Sequence, residues 1–186
     1  MQIPDPQSAH VLSLVAELAP SQRPQFVAVE PLPWAEELAC IDVVDRCVSE
    51  NGGRQVLGWG LWEWPGVLLE AEFHAIWEKP DGSVTDPTPK RGPVQKILFL
   101  PDPEARVVAF QKDNVRRPLA KRKEILDFIE INERFFQARN TDPNSSTFVQ
   151  TKYLDFLDAE RMQRFHRLVV RFGPPPRFGT VVGAAA

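Results

Sequence analysis

The chain has 186 residues, 43% of them hydrophobic, with 12 Phe and 5 Trp, enough to bury a substantial core in one domain with an appended helical segment. Its 22 basic and 25 acidic side chains leave a net charge of −3, which gives no global electrostatic reason to bind nucleic acid or an anionic membrane. The opening MQIPDPQSAH lacks the basic start and apolar run of a secretory signal, and no apolar stretch approaches the ~20 residues that span a bilayer, so a cytoplasmic protein is expected.

In chain order, residues 1–33 read as a lead-in. SAHVLSLVAELA predicts a short amphipathic helix, and the proline-punctuated PSQRPQFVAVEPLP has room for one short strand. WAEELACIDVVDRCVSENGG combines helical apolar periodicity with an Asn-Gly-Gly stop, predicting a helix from about residue 35 to 51. Cys40 and Cys47 fall on one face of it with Cα atoms ~10 Å apart, too far for a disulfide, so both are expected as free thiols. VLGWGLWEW, VLLEAEFHAIWE, SVTDPT, KILFLPD and ARVVAFQ then read as strands separated by Pro-Gly and Asp-Gly signals. Residues 34–115 therefore predict an α+β core of one helix on an antiparallel sheet. From RRPLAKRKEILDFIEINERFFQARN the period becomes 3.6, with Ile125, Phe128, Ile129, Asn132 and Phe136 on one face, and a second helix is expected from about Phe148 to Phe172. These make a helical hairpin over residues 116–172. Residues 173–186, rich in Pro, Gly and Ala, are expected to form a loosely held tail.

The segment HAIWEKPDGSVTDPT carries the chemistry. His74 shares one face of its strand with Glu70, Glu72 and Glu78. With a three-residue Pro80-Asp81-Gly82 loop and Gly82 in a left-handed conformation, Lys79 pairs with Ser83 and Asp86 comes opposite Ile76. Asp86 is then a diagonal neighbour of His74, ~7 Å away between Cα atoms and within reach of its imidazole N–H. A two-residue Asp81-Gly82 loop would place the two on opposite faces. A histidine held by a carboxylate is half of a nucleophilic apparatus. Cys40, near the start of the helix that precedes the sheet, is the candidate nucleophile, and Cys47 reads as a packed apolar residue.

A cysteine in a helix, then a strand bearing His74-Ala75, then Asp86-Pro87-Thr88, resembles the transglutaminase-like branch of the papain-like cysteine enzymes. The resemblance spans residues 34–90. It implies a papain-like core in which Cys40 is the nucleophile, His74 the general base and Asp86 the group that orients it, acting on a peptide or protein amide. The Cys40 backbone N–H and the Trp34 indole are the oxyanion-donor candidates by proximity.

The remaining features allow two readings each. Trp59 and Trp62 sit in the Gly-rich GWGLWEWPG, where they serve as sheet core or as walls of a substrate groove together with Trp34 and Glu72. The cysteine spacing is too wide for a zinc knuckle, and no phosphate-binding or dinucleotide fingerprint occurs, so neither metal nor cofactor is expected. Arg161, Arg164, Arg167 and Arg171 recur along the last helix as a solvated face or as a dock for an acidic protein partner. The alternative to an enzyme is a non-catalytic interaction module on the same or an unrelated α+β fold.

Overall fold

The computed structural model describes residues 1–107, 112–140 and 151–176. Along them run α1 (Ala9–Leu18), β1 (Gln25–Val29), α2 (Cys40–Asn51), β2 (Arg54–Trp64), β3 (Leu68–Glu78), β4 (Val84–Asp86), β5 (Lys96–Pro101), β6 (Val115–Pro118), α3 (Lys123–Arg139) and α4 (Lys152–Phe172). The class is α+β. The sheet, however, is mixed rather than antiparallel: β1 pairs β4 in parallel, with Ala28 beside Thr85 and Val29 beside Asp86. The neighbour order β2-β5-β1-β4-β3 returns to its start through the β2–β3 pairing, so these five strands form a small closed barrel, and β6 extends it as an outer strand on β3. Closure removes the edges that a short open sheet would expose.

Local signals account for the hairpins. Gly66 at φ 71° turns β2 into β3. At the second turn Gly82 takes φ 85°, the Lys79 amide donates to Ser83 O at 2.8 Å, and Trp77 pairs with Thr85, which is the register of the three-residue loop.

Other boundaries moved. The helix predicted from residue 35 begins at Cys40, because Leu38 adopts φ 65°, which an α-helix cannot contain. VRRP, read from its sequence as the approach to a helix, forms β6 because Arg117 and Arg116 find strand partners in Leu69 and Glu70. Of the predicted strand ARVVAFQ, Ala105–Val107 are not in a strand, and residues 108–111 lie outside the described residues. Residue 148, the expected start of the last helix, also lies outside them, as do residues 177–186 of the expected tail; within them the helix begins at Lys152.

Two apolar clusters hold the layers together. In the first, Ile76, Ile97 and Phe99 on one face of the sheet and Leu61 on the other join Val11, Leu14 and Val15 of α1. In the second, Trp64, Val67 and Leu68 at the β2–β3 turn pack against Ile125 and Ile129 of α3 and Leu168 of α4, with Trp64 edge-on to Phe128 at 6.4 Å between ring centroids. Each such buried Leu, Ile or Val contributes about 1.5–3 kcal/mol. No helix among the described residues is long and apolar enough to cross a membrane.

Gly58 is a tight point of the barrel wall. It faces His74 on one side and Pro101 on the other, and an added Cβ would lie 2.2 Å from the Leu100 carbonyl oxygen and 2.7 Å from Phe99. Gly66, by contrast, has open space around it and only its positive φ to protect. Urea denaturation should therefore show Gly58→Ala destabilised by at least about 2 kcal/mol, and Gly66→Ala by only about 1 kcal/mol.

Candidate active site

α2 packs against β3, whose His74 is buried while Glu70, Glu72 and Glu78 on the same face are half-exposed. Val43, Val44 and Cys47 of α2 are buried, and Cys40 stands at the first position of the helix, half-buried. Because the two cysteines are seven residues apart on one face, Cys47 packs in the core while Cys40 reaches the end of the strand where His74 lies. The Cys40 thiol lies close enough to His74 for the imidazole to favour its ionised form. His74 is 5% exposed and its Nε2 lies 2.8 Å from Asp86 Oδ2, and Asp86 has no exposed surface at all. With Nε2 engaged by the carboxylate, Nδ1 is the ring nitrogen left for the thiol.

Asp86 is fixed from three directions. Its Oδ1 accepts the Thr88 amide at 3.0 Å in an Asx-type turn, and its Oδ2 accepts both His74 and Lys90, whose Nζ is 2.6 Å away. Lys90 Nζ is also 3.0 Å from His74 Nε2. Lys90 was not among the residues singled out from the sequence; its i, i+4 spacing from Asp86 was the available signal, but in a loop that spacing does not fix geometry.

These contacts set the protonation states. Burial of His74 works against its charge, yet the Asp86 carboxylate outweighs it and raises the imidazole to about 9, with Lys90 pulling the other way. Burial would raise Asp86, but the charges and hydrogen bonds of His74 and Lys90 bring it down to about 2. For Cys40 burial likewise opposes ionisation. The His74 hydrogen bond and charge, a bond to the Ala75 backbone and the Lys90 charge together bring the thiol below its ordinary value. Cys47 moves the opposite way, raised by burial and by Glu50. The two cysteines of one helix are thus shifted in opposite directions, Cys40 toward the thiolate and Cys47 away from it.

Two local features precede the nucleophile. Leu38, 70% exposed, is the sole non-glycine residue with positive φ among the described residues, a conformation costing about 1–2 kcal/mol that forces the turn into α2. The N-cap position, Ala39, provides no side-chain hydrogen bond to the amides of the first turn of α2, of which Cys40 is the first residue.

Cys40 and His74 line a groove of about 550 Å³ with Trp62, Glu72, Phe73 and Thr88 among its walls. Trp62 Nε1 donates to Glu72 Oε2 at 3.1 Å, and the Thr88 hydroxyl is buried with no hydrogen-bond partner among the described residues. Trp62 and Glu72 thus reach the groove as the sequence suggested. Trp34 and Trp59 do not: Trp34 stacks under the Arg46 guanidinium at 4.0 Å, and Trp59 is 2% exposed in the first apolar cluster with its indole N–H on Asp102. The far wall comes from the helical hairpin, through Asn132, Phe135 and Arg161. Of the C-terminal arginines, Arg161, Arg164 and Arg171 engage Asp158, Glu160 and Glu124, and Arg167 is exposed. Among the described residues no group of three or more His, Cys, Asp or Glu side chains is arranged to hold a metal ion. The chain matches no family model, no curated protein and no solved structure.

The buried pair ties stability to pH. Asp86 titrates lower in the folded chain than in the unfolded one, so its contribution is complete above about 4 and is lost as pH falls toward 2. His74 titrates higher when folded, so its contribution is complete below about 6.5 and is lost as pH rises through 9. The loss in melting temperature caused by His74→Gln should consequently be largest between about pH 4 and 6.5 and shrink toward pH 9 and above; a pH-independent difference would mean the pair is not ionised in the folded protein.

Proposed function

We propose that the protein is a thiol-dependent amide hydrolase or acyltransferase, with a Cys40-His74-Asp86 triad on a papain-like, transglutaminase-like core. One observation carries the reading: three residues from three separate elements come together, with the thiol at an uncapped helix N-terminus and the histidine on a neighbouring strand both lining one groove, and the carboxylate on the next strand buried behind the histidine. The resemblance to the papain-like enzymes implies a cysteine-bearing helix beside strands that bear His and Asp, and these three elements are the ones that carry Cys40, His74 and Asp86 here. The buried Thr88 hydroxyl and the aromatic Trp62 and Phe73 give the groove both a polar group and apolar walls, as a pocket for an acyl chain requires.

The chemistry follows from the geometry. With the Cys40 proton held on His74 Nδ1, the thiolate attacks the carbonyl carbon of an amide, forming the C–S bond. Negative charge develops on the carbonyl oxygen, where the Cys40 backbone N–H and the positive end of α2 stabilise it. Collapse breaks the C–N bond as His74 returns its proton to the departing amine. His74 then deprotonates either water or a second amine, which attacks the thioester and releases the thiol. Asp86 holds the ring throughout and stabilises the imidazolium. A peptide or protein amide suits the groove's openness.

Alkylation by iodoacetamide, read by mass spectrometry against pH, tests the reading. Cys40 should label well below the ~8.5 of an ordinary thiol and at least ten times faster than Cys47 at pH 7, and His74→Ala should abolish the low-pH reactivity. Equal, slow labelling of both cysteines, unchanged in the variant, would remove the thiolate–imidazolium pair and the function with it.

A further inference from the structure

We propose that Lys90 is a fourth working member of the site, a positioning residue whose ammonium shares the Asp86 carboxylate with His74 and thereby restrains the basicity of the imidazole. The inference rests on the triad reading and concerns how that triad is tuned. Lys90 Nζ, His74 Nε2 and Asp86 Oδ2 form a triangle with sides of 2.6, 2.8 and 3.0 Å. Both donors use the same carboxylate oxygen, since Oδ1 is taken by the Thr88 amide. Two cations on one acceptor divide its charge. When His74 is protonated, Lys90 is a like charge at contact distance. Lys90 therefore favours the neutral ring, against Asp86, which favours the imidazolium.

The environment leaves Lys90 as the main opposing charge. Facing His74 are Cys40 from α2, Asp86 from β4, Lys90 from the segment after β4 and the neutral edge of Phe99 from β5, with Gly58 of β2 offering no side chain. Glu72, two residues earlier on β3 itself, accepts from the Trp62 indole. Lys90 is also held where a structural cation would not need to be: its side chain is 15% exposed and lines the groove beside Cys40 and His74. A catalytic histidine must both accept the thiol proton and give it up to the leaving group, and an imidazole bound to a wholly buried carboxylate with nothing opposing it would hold that proton too firmly. The Lys90 ammonium supplies the opposition, and the same charge favours the Cys40 thiolate.

The test follows the His74 ring resonances by NMR against pH in the full chain, assigned by their loss in His74→Gln, together with the iodoacetamide profile of Cys40. Lys90→Met should move the His74 step to higher pH by on the order of one unit, with the first Cys40 step moving up as well. Lys90→Arg, which keeps the charge, should leave both within a few tenths of a unit of the parent. Lys90→Gln keeps a donor for Asp86 without the charge, and should show the same upward movement even if the methionine variant folds poorly. An unmoved His74 step in the neutral variants overturns the proposal. So does a downward one, which would mean that Lys90 only holds Asp86 in place for His74. Because the ring titration is read directly, it decides the role of Lys90 even if Cys40 proves unreactive, an outcome that would instead sink the enzymatic reading.

Discussion

The ionised Asp86 carboxylate, sealed from solvent, is the constraint on which the rest of this structure turns. An uncompensated charge in that position would cost several kcal/mol, so the chain must bring partners to it. It brings three: the Thr88 amide, the His74 imidazole and the Lys90 ammonium. Asp86 is also where the barrel closes. Val29 of β1 lies beside it in parallel register, and the Glu30 amide donates to the Asp86 carbonyl at 2.9 Å. The residue that satisfies the histidine through its side chain thus joins β1 to β4 through its backbone, and the geometry of the site and the closure of the sheet are one arrangement seen from two sides.

That arrangement decides what α2 can do. The helix crosses β3 so that one of its cysteines packs in the core and the other meets His74. Had the helix begun at residue 35, Cys40 would lie in its second turn, with its amide bonded to the preceding turn. Leu38, held at positive φ, starts the helix five residues later, so that Cys40 carries a first-turn N–H and feels the full positive end of the dipole. Strain in one exposed residue positions the thiol.

What could be read in advance divides along the same lines. The register that makes His74 and Asp86 diagonal neighbours was legible because it depends on a turn of three residues, Pro80-Asp81-Gly82, whose conformation is set locally. The pairing of the two side chains follows from the pleat. The closure through β1 was not legible: QFVAV shows only that a short strand is present, and its parallel pairing to a segment more than fifty residues later is a property of the whole barrel. Arg116 and Arg117 hid β6, since a basic run ahead of a 3.6-residue pattern resembles the first turn of a helix until Glu70 is seen across from it. Of the four groove candidates, Trp62 and Glu72 lie on the groove because they share a face with His74 across the β2–β3 ladder, whereas Trp59 is drawn inward by Asp102 and Trp34 is held by Arg46. Aromatic content showed that large flat surfaces were present, and only the tertiary partners decided which way each would face.

The charge balance of the cluster gives these observations a common reason. Before proton transfer the site holds a neutral thiol, a neutral imidazole, the Asp86 carboxylate and the Lys90 ammonium; afterwards it holds a thiolate, an imidazolium and the same carboxylate and ammonium. Both states sum to zero. Moving the proton from Cys40 to His74 inside a buried, low-dielectric cluster therefore changes no net charge, and the protein is not asked to solvate an ion that appears during the reaction. Remove Lys90 from the sum and both states carry a buried negative charge, which only a more firmly protonated histidine could relieve. A triad with a wholly buried acid works as an acid–base device when something cancels that acid, and in this fold the cancelling group stands four residues further along the chain.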